Sequence, residues 1–261
     1  MDPLHQRRAG PDPPGALPVR YGVLSDIHAN APALRAVLAD LATLGVDRLL
    51  CLGDLVGYGA DPDRVVEAVA RRESVVVAGN HDHASAGLVA LDWFNPFARA
   101  AAEWTATQLS ADHSRYLAGL PLVLEHAGAT LVHSSPQHPE EWPYLVTPAD
   151  GAAAFAAFTT PICFVGHSHL PAVWTLRDDG GVGFQSGARR ITLAAGARYI
   201  VNVGSVGQPR DGDPAAAYTL WDLDAGAVEI RRVAYDTQEA RRRIHAAGLP
   251  RLLGDRLLHG R

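Results

Sequence analysis

Asp26 with His28, Asp54, Asn80 with His81, His133, and His167 with His169 each stand just past a short apolar run of the chain. Their types are narrow: carboxylate, carboxamide and imidazole, with no serine or cysteine set in the turn that a nucleophile elbow needs. Taken one at a time, each has an ordinary explanation, since an aspartate after a strand often caps a helix and a lone asparagine or histidine finds local partners. Together they select the side chains that ligate metals. Oxygen and imidazole donors without thiolate suit Mn²⁺, Fe²⁺, Ni²⁺ or Zn²⁺ rather than Ca²⁺. The seven donors Asp26, His28, Asp54, Asn80, His133, His167 and His169 exceed what one ion takes, so two ions are expected. In extended chain, residues two apart share a face, which would let Asp26 converge with His28, and His167 with His169.

The elements that must carry these residues alternate. The stretch V-R-Y-G-V-L-S-D (19–26) reads as a strand, A-L-R-A-V-L-A-D-L-A-T-L-G (33–45) as a helix closed by glycine, and D-R-L-L-C-L-G-D (47–54) as a second strand. A helix over D-P-D-R-V-V-E-A-V-A-R-R (61–72) and the strand S-V-V-V-A-G-N (74–80) follow, so the first third predicts βαβ crossovers and a largely parallel sheet. Ligands in such sheets bind beyond the carboxyl ends of the strands, which is where the polar residues fall. The chain reads as helical from Leu88 to about Leu117, and short strands with tight turns, expected antiparallel, fill the second half. The tail predicts two helices over about 237–259 separated by G-L-P. A single domain over 19–261, with a helical lid at about 84–118, follows a flexible leader over 1–18 that is dense in proline and glycine.

Composition excludes some classes. No apolar stretch approaches the roughly 20 residues of a membrane span. The net charge of -5 argues against a broad basic face for duplex nucleic acid. Cys51 and Cys163 sit within apolar runs and read as buried free thiols in a reducing compartment. The N-terminus lacks the apolar core of a secretory signal, so a cytoplasmic location is expected.

The blocks S-D-I-H-A-N, L-G-D-L-V-G-Y-G, A-G-N-H-D, V-H-S and V-G-H-S-H-L-P occur in this order between residues 23 and 171. They resemble the calcineurin-like metallophosphoesterase superfamily, whose blocks run D-x-H, G-D, G-N-H-[DE], H and G-H-[TS]-H. N-V-G-S-V-G-Q-P-R (202–210) resembles a further block of its small bacterial and archaeal phosphodiesterase branch. The resemblance implies an α/β fold, a four-layer α/β/β/α sandwich with two packed mixed β-sheets. It implies one metal on Asp26, His28 and His169, a second on Asn80, His133 and His167, and Asp54 between them. Mn²⁺ is the leading candidate, with Fe, Ni, Zn or Mg as alternatives.

Such a centre, with its two ions outweighing two carboxylates and a bridging hydroxide, attracts a phosphate anion and activates a water for in-line attack. The family pattern makes His81 the proton donor to the leaving oxygen or a phosphoryl ligand, while Asp82 either orients a histidine or caps a helix. The expected activity is therefore hydrolysis of a small phosphoester, a phosphodiesterase or phosphatase of the EC 3.1 class with a nucleotidic substrate. One departure bears on substrate: Ser/Thr protein phosphatases and symmetric diadenosine-tetraphosphate hydrolases carry an arginine shortly after G-D, and this chain has Tyr58 near that place. Asn30, Tyr58 and Arg210 are the candidate substrate residues, with aromatic lining from W-F-N-P (93–96) and E-E-W-P-Y (140–144). The alternatives are an asymmetric-type dinucleoside polyphosphate hydrolase and a non-catalytic metal-binding regulatory protein; homo-oligomerisation stays open.

Overall fold

The computed structural model describes residues 20–46 and 48–261. The leader expected over 1–18 lies outside the described residues. Alternating strands and helices open the fold as β1 (Arg20–Leu24), α1 (Ala31–Thr43), β2 (Arg48–Cys51), α2 (Pro62–Ala70) and β3 (Ser74–Val76). Their right placement in the sequence has local causes. Helix α1 starts where the Asn30 carboxamide accepts from Ala33 N (3.1 Å) and Pro32 pre-sets the first turn. Three helices follow, α3 (Asn80–Ser85), α4 (Pro96–Gln108) and α5 (Ala111–Ala118). The helix expected without a break from Leu88 to about Leu117 is interrupted because two new N-termini are written into it. Asn95 caps α4 ahead of Pro96, and Ser110 caps α5 through His113 N.

The second half contributes β4 (Val123–His126), β5 (Ala129–Val132), α6 (Pro148–Ala154), β6 (Ile162–Val165), β7 (Ala172–Leu176), β8 (Val182–Ser186), β9 (Arg190–Thr192), β10 (Arg198–Asn202), β11 (Ala216–Asp222) and β12 (Ala227–Val233). Helices α7 (Thr237–Ala246) and α8 (Arg251–Asp255) end the chain with a 3-10 turn over Arg256–His259. Two of these elements lack a strong sequence signal. Helix α6 is too short to show a period, and β8 carries Gly183 and Gln185 where apolar residues would announce a strand.

The strands form two six-stranded sheets, in the orders β3-β2-β1-β11-β12-β9 and β4-β5-β6-β10-β7-β8. Both are mixed: β1, β2 and β3 pair in parallel, as do β5, β6 and β10, and the remaining ladders are antiparallel. Period-two alternation then builds four layers. In β1 and β2, Val23 and Leu50 point between the sheets, whereas Leu24, Leu49 and Cys51 face α1 and α2. In β6, Ile162 and Phe164 point inward while Cys163 and Val165 meet Phe155, just past α6. Strands buried on both faces read as unbroken apolar runs, which is why the central strands stand out in the sequence. The order α/β/β/α is the one the resemblance implies. Cys51 and Cys163 are both free and buried within it. Among the described residues, no helix is long and apolar enough to cross a membrane.

Candidate metal centre and cleft

The carboxyl ends of β1, β2, β3, β5 and β6 open on one region between the sheets, and the chain continues from each into a tight loop. The loops are locked to one another by backbone bonds: Asp26 N donates to Gly53 O (3.1 Å), His28 N to Asp54 O (2.9 Å) and Gly166 N to His133 O (2.8 Å). Two carboxylate contacts reinforce them, the first between the two sheets and the second between β2 and β3 of one sheet. Asp26 Oδ2 accepts from His167 N (2.9 Å), and Asp54 Oδ1 accepts from His81 N (2.9 Å).

Two Asp/His clusters result, linked by a third buried group of His28, Asp54 and His81. In the first, His169 Nε2 lies 3.1 Å and His28 Nε2 3.6 Å from Asp26 Oδ1. The second joins Asp54, His133 and His167, with His133 Nε2 at 3.4 Å from Asp54 Oδ2. Asp54 Oδ2 is also 3.7 Å from His28 Nε2, so this carboxylate touches both clusters. Asn80 lines the cleft above them with its buried Oδ1 lacking a protein partner. His167 and His169 therefore face different clusters.

The backbone route differs from the extended chain expected from spacing. Asp26, His28, Asp54, His167 and His169 all have φ between 49° and 64°, the left-handed region that ordinary residues avoid. Side chains two apart do not share a face here through the pleat of a strand. Each is swung inward by a turn whose strain, of order 1–3 kcal/mol per residue, persists only because the loop bonds hold it. Glycines make the close approach feasible: a Cβ on Gly166 would lie 2.5 Å from Asp26 Oδ2, and one on Gly79 2.0 Å from Asp54 Oδ1.

Hydrogen bonds assign the imidazole tautomers. Nδ1 of His28, His133 and His169 faces a carbonyl oxygen, of Val56 (3.0 Å), Leu52 (2.8 Å) and Gln208 (2.5 Å) respectively. A carbonyl can only accept, so each Nδ1 carries a hydrogen and, in the neutral ring, each Nε2 turns a lone pair inward. His28 Nε2 and His169 Nε2 then oppose each other at 3.1 Å, a contact between two acceptors that only a proton or a cation relieves. His133 Nε2 and His167 Nδ1 also lie 3.1 Å apart, and there the proton that Asp54 and Asp26 keep on His133 occupies the contact. The facing lone pairs of His28 and His169, the close approach of His133 to His167, and the unpartnered oxygens Asp26 Oδ1 and Asn80 Oδ1 fit divalent metal ions.

The electrostatics agree. Burial alone would raise the Asp26 carboxyl, but His169 and then His133 hold it well below the usual carboxylate range. Asp54 is lowered in the same way, burial being overcome by His133 and His81. His133 is the exception among the histidines: burial disfavours its cation, yet Asp54 and Asp26 lift it to about 9. Burial drives His81 and His167 down to about 3 and His169 to about 4, which leaves them neutral near pH 7.

A cleft of about 700 Å³ lies over the clusters. Tyr58 packs on His28 (4.6 Å) and His81 (4.4 Å), and Phe94 sits edge-on to His81 (4.9 Å). On the other side Tyr144 stacks on His167 (4.1 Å, 19°), and Trp142 is edge-on to His133 (5.9 Å). The aromatic segments 93–96 and 140–144 thus both line the cleft. Arg210 also lines it, its guanidinium 5.8 Å over the Tyr58 ring and held by Gln208 Oε1 (2.9 Å). Arg210 has no carboxylate partner among the described residues.

Two candidates fall elsewhere. Asn30 does not line the cleft: its Oδ1 caps α1, and its Nδ2 donates to Gly207 O (2.8 Å) and Tyr235 Oη (3.2 Å), so its polar atoms are spent on the scaffold. Asp82 touches no histidine of the clusters. It accepts from Leu55 N (2.9 Å), Val56 N (3.2 Å) and Gly79 N (3.0 Å), clamping the Asp54 loop to the start of α3, and burial followed by Asp54 pushes it up to about 7. Glu140 and Glu141, on the cleft wall, were not singled out by sequence; the block E-E-W-P-Y drew notice only for its rings.

This geometry has counterparts. A metallophosphoesterase of known structure from Sphaerobacter thermophilus is 42% identical and superposes with a TM-score of 0.82, covering 94% of this chain and all of its own. Protein MJ0912 of Methanocaldococcus jannaschii, described only as uncharacterised, is 39% identical over 92% of this chain and 97% of its own. Hypothetical protein PH1004 of Pyrococcus horikoshii shares the fold at 22% identity, with a TM-score of 0.76 over 93% of this chain and 99% of its own. Residues 19–226 match the model of the calcineurin-like phosphoesterase superfamily domain, a span that contains both Asp/His clusters. With sheets, clusters and sequence all in agreement over most of its length, the chain belongs to the calcineurin-like phosphoesterase superfamily.

Proposed function

We propose that the protein is a divalent-metal-dependent hydrolase of small phosphoesters, acting through a two-metal centre. One observation carries the reading: two buried Asp/His clusters, each with a pair of imidazole nitrogens 3.1 Å apart, share Asp54 at the floor of an aromatic-walled cleft. Asp26, His28 and His169 would hold one ion, Asn80, His133 and His167 the other, and Asp54 both. Mn²⁺ heads the candidates, because mixed oxygen and imidazole donors without thiolate suit a borderline ion. Bound there, the pair of ions would supply a hydroxide at neutral pH and charge to balance phosphoryl oxygens.

The remaining work falls to the chain. Asp82 and the loop bonds hold Asp54 in place, and the carbonyls of Val56, Leu52 and Gln208 keep the Nε2 lone pairs aimed inward. His81, buried at the cleft floor and held neutral near pH 7 by that burial, presents an N–H to a phosphoryl or leaving oxygen; a seated phosphate anion supplies the negative charge that lets its imidazole carry and deliver a proton. Arg210, free of a carboxylate, is the ready partner for a further phosphoryl oxygen, and Tyr58 supports it. The aromatic walls favour a flat alcohol such as a nucleoside.

The test is metal-dependent hydrolysis of a mixed panel of phosphomonoesters, bis-p-nitrophenyl phosphate, cyclic nucleotides and diadenosine polyphosphates. Turnover of at least one class that requires added Mn²⁺ and vanishes with chelator is expected. Inactivity on every class, with both metals verified by elemental analysis, would refute the proposal and favour a regulatory metal-binding role.

A further inference from the structure

The cleft is electrically lopsided. Tyr58 stacks near His28 and carries the Arg210 guanidinium, which places the one cationic side chain of the described lining above the Asp26 cluster. Trp142 and Tyr144 cover the histidines of the Asp54 cluster, and the same short segment brings the carboxylates of Glu140 and Glu141 to the cleft wall. Both glutamates are solvent-exposed, and no arginine pairs with either among the described residues. The nearest basic group to Glu140 is His138, at 3.9 Å and itself exposed. His138, Glu140 and Glu141 form one exposed group, and a phosphate-binding site that lines a wall with two carboxylates and a single exposed imidazole beside them repels a substrate carrying a second anionic group on that side.

Apolar surface in the cleft points the same way. Trp93 is 91% exposed and Tyr144 54%, and both line the cleft together with Phe94. Rings left in water at a cleft wall suit an apolar, planar substituent, which they can stack without requiring it to be charged.

We propose that Glu140 and Glu141 are specificity-determining residues that restrict the cleft to phosphoesters whose group on the Trp142/Tyr144 side is planar and either uncharged or cationic. Aryl or nucleoside esters of a single phosphate satisfy this rule. Dinucleoside polyphosphates and nucleoside triphosphates violate it, since their additional phosphates would meet the two carboxylates. The inference rests on the phosphoesterase reading and narrows its substrate class.

The experiment uses the metal-loaded full chain and three phenyl phosphates, together with their methyl diesters, that differ only in the para substituent: sulfonate, hydrogen or trimethylammonium. Binding by calorimetry and kcat/KM are both measured, for the wild type, the Glu140→Gln/Glu141→Gln variant and the Glu140→Asp/Glu141→Asp variant. The wild type should disfavour the sulfonate relative to the trimethylammonium compound by about tenfold at low ionic strength, and the ratio should shrink in 0.5 M salt. The glutamine variant should bring the ratio near one, while the aspartate variant retains most of it. A ratio that is already near one in the wild type, or that the glutamine variant leaves intact, overturns the inference. Calorimetry keeps the test independent of turnover: failure of all six compounds to be hydrolysed counts against the phosphoesterase reading, and the binding ratios still decide the charge rule.

Discussion

Replacing Gly79 by alanine probes how tightly the centre is built. The backbone at Gly79 (φ -102°, ψ 170°) is open to any residue, so conformational strain is not the obstacle. The obstacle is space: the new methyl would lie 2.0 Å from Asp54 Oδ1 and 2.4 Å from Asp54 N. Carbon and oxygen do not approach within 3 Å, so Asp54 must retreat by about 1 Å, and because backbone is involved no side-chain rotation relieves the clash. That retreat takes Oδ1 from His81 N, now at 2.9 Å, and Oδ2 from its place 3.4 Å from His133 Nε2 and 3.7 Å from His28 Nε2. Overpacking of this kind costs about 1–3 kcal/mol of stability, and a displacement of about 1 Å in a catalytic array costs on the order of 100-fold in rate. The assay combines metal content by elemental analysis, kcat on the best substrate of the panel, and thermal unfolding. A folded variant whose melting temperature falls by about 5 °C, with depleted metal and kcat reduced about 100-fold, is expected. A variant that keeps two metals and a rate within about threefold of wild type would refute the claim that Gly79 sets the position of Asp54.

Further outcomes are expected. Asp54→Asn should lose both metal occupancy and hydrolysis, whereas His81→Ala should keep the metals and lose about 10²- to 10⁴-fold in kcat, most severely on poor leaving groups; undiminished turnover by metal-loaded His81→Ala would remove its role as proton donor. Metal uptake should depend on pH through His133, which must shed its proton to become a ligand: because its carboxylate neighbours hold it at about 9 in the metal-free protein, affinity should climb up to tenfold per unit as pH rises from 6 and level off near 9. At pH 7 uptake should release between one and two protons, one from His133 and a second to the extent that the water held by the ions ionises, since His167 and His169 are already neutral and Asp26 and Asp54 already ionised; calorimetry in buffers of different ionisation enthalpy would expose a value near zero as the contrary result. Asn30→Ala should destabilise the fold by about 1–2 kcal/mol through the lost cap and the unpaired Gly207 carbonyl, visible as a lower denaturant midpoint, without changing kcat/KM; a selective rise in KM would return Asn30 to the substrate site.

The sequence by itself determined which side chains stand at the strand ends and the scaffold that carries them. Strands buried on both faces must be apolar throughout, so the runs before Asp26, Asp54, His133 and His167 were legible, and the polar residue that ends each run marked the open end of a sheet. Helix starts were also written locally, as Asn30, Asn95 and Ser110 show, although the last two were overlooked within a long helical reading. What only the tertiary structure decided is how those residues meet. The left-handed turns at Asp26, His28, His167 and His169 are held by bonds between loops distant in sequence, such as His167 N to Asp26 Oδ2, so spacing alone suggested a pleat that is not there. The same holds for Asn30, whose second partner lies 177 residues away, and for Asp82, whose carboxylate serves backbone amides rather than a histidine. Glu140 and Glu141 are ordinary exposed charges in sequence, and they acquire meaning only because the fold brings Trp142 and Tyr144 over the Asp54 cluster. Local preferences act over a few residues, whereas a site at the meeting of two sheets is set by long-range packing; the one can be read along the chain, and the other exists only once the chain has closed on itself.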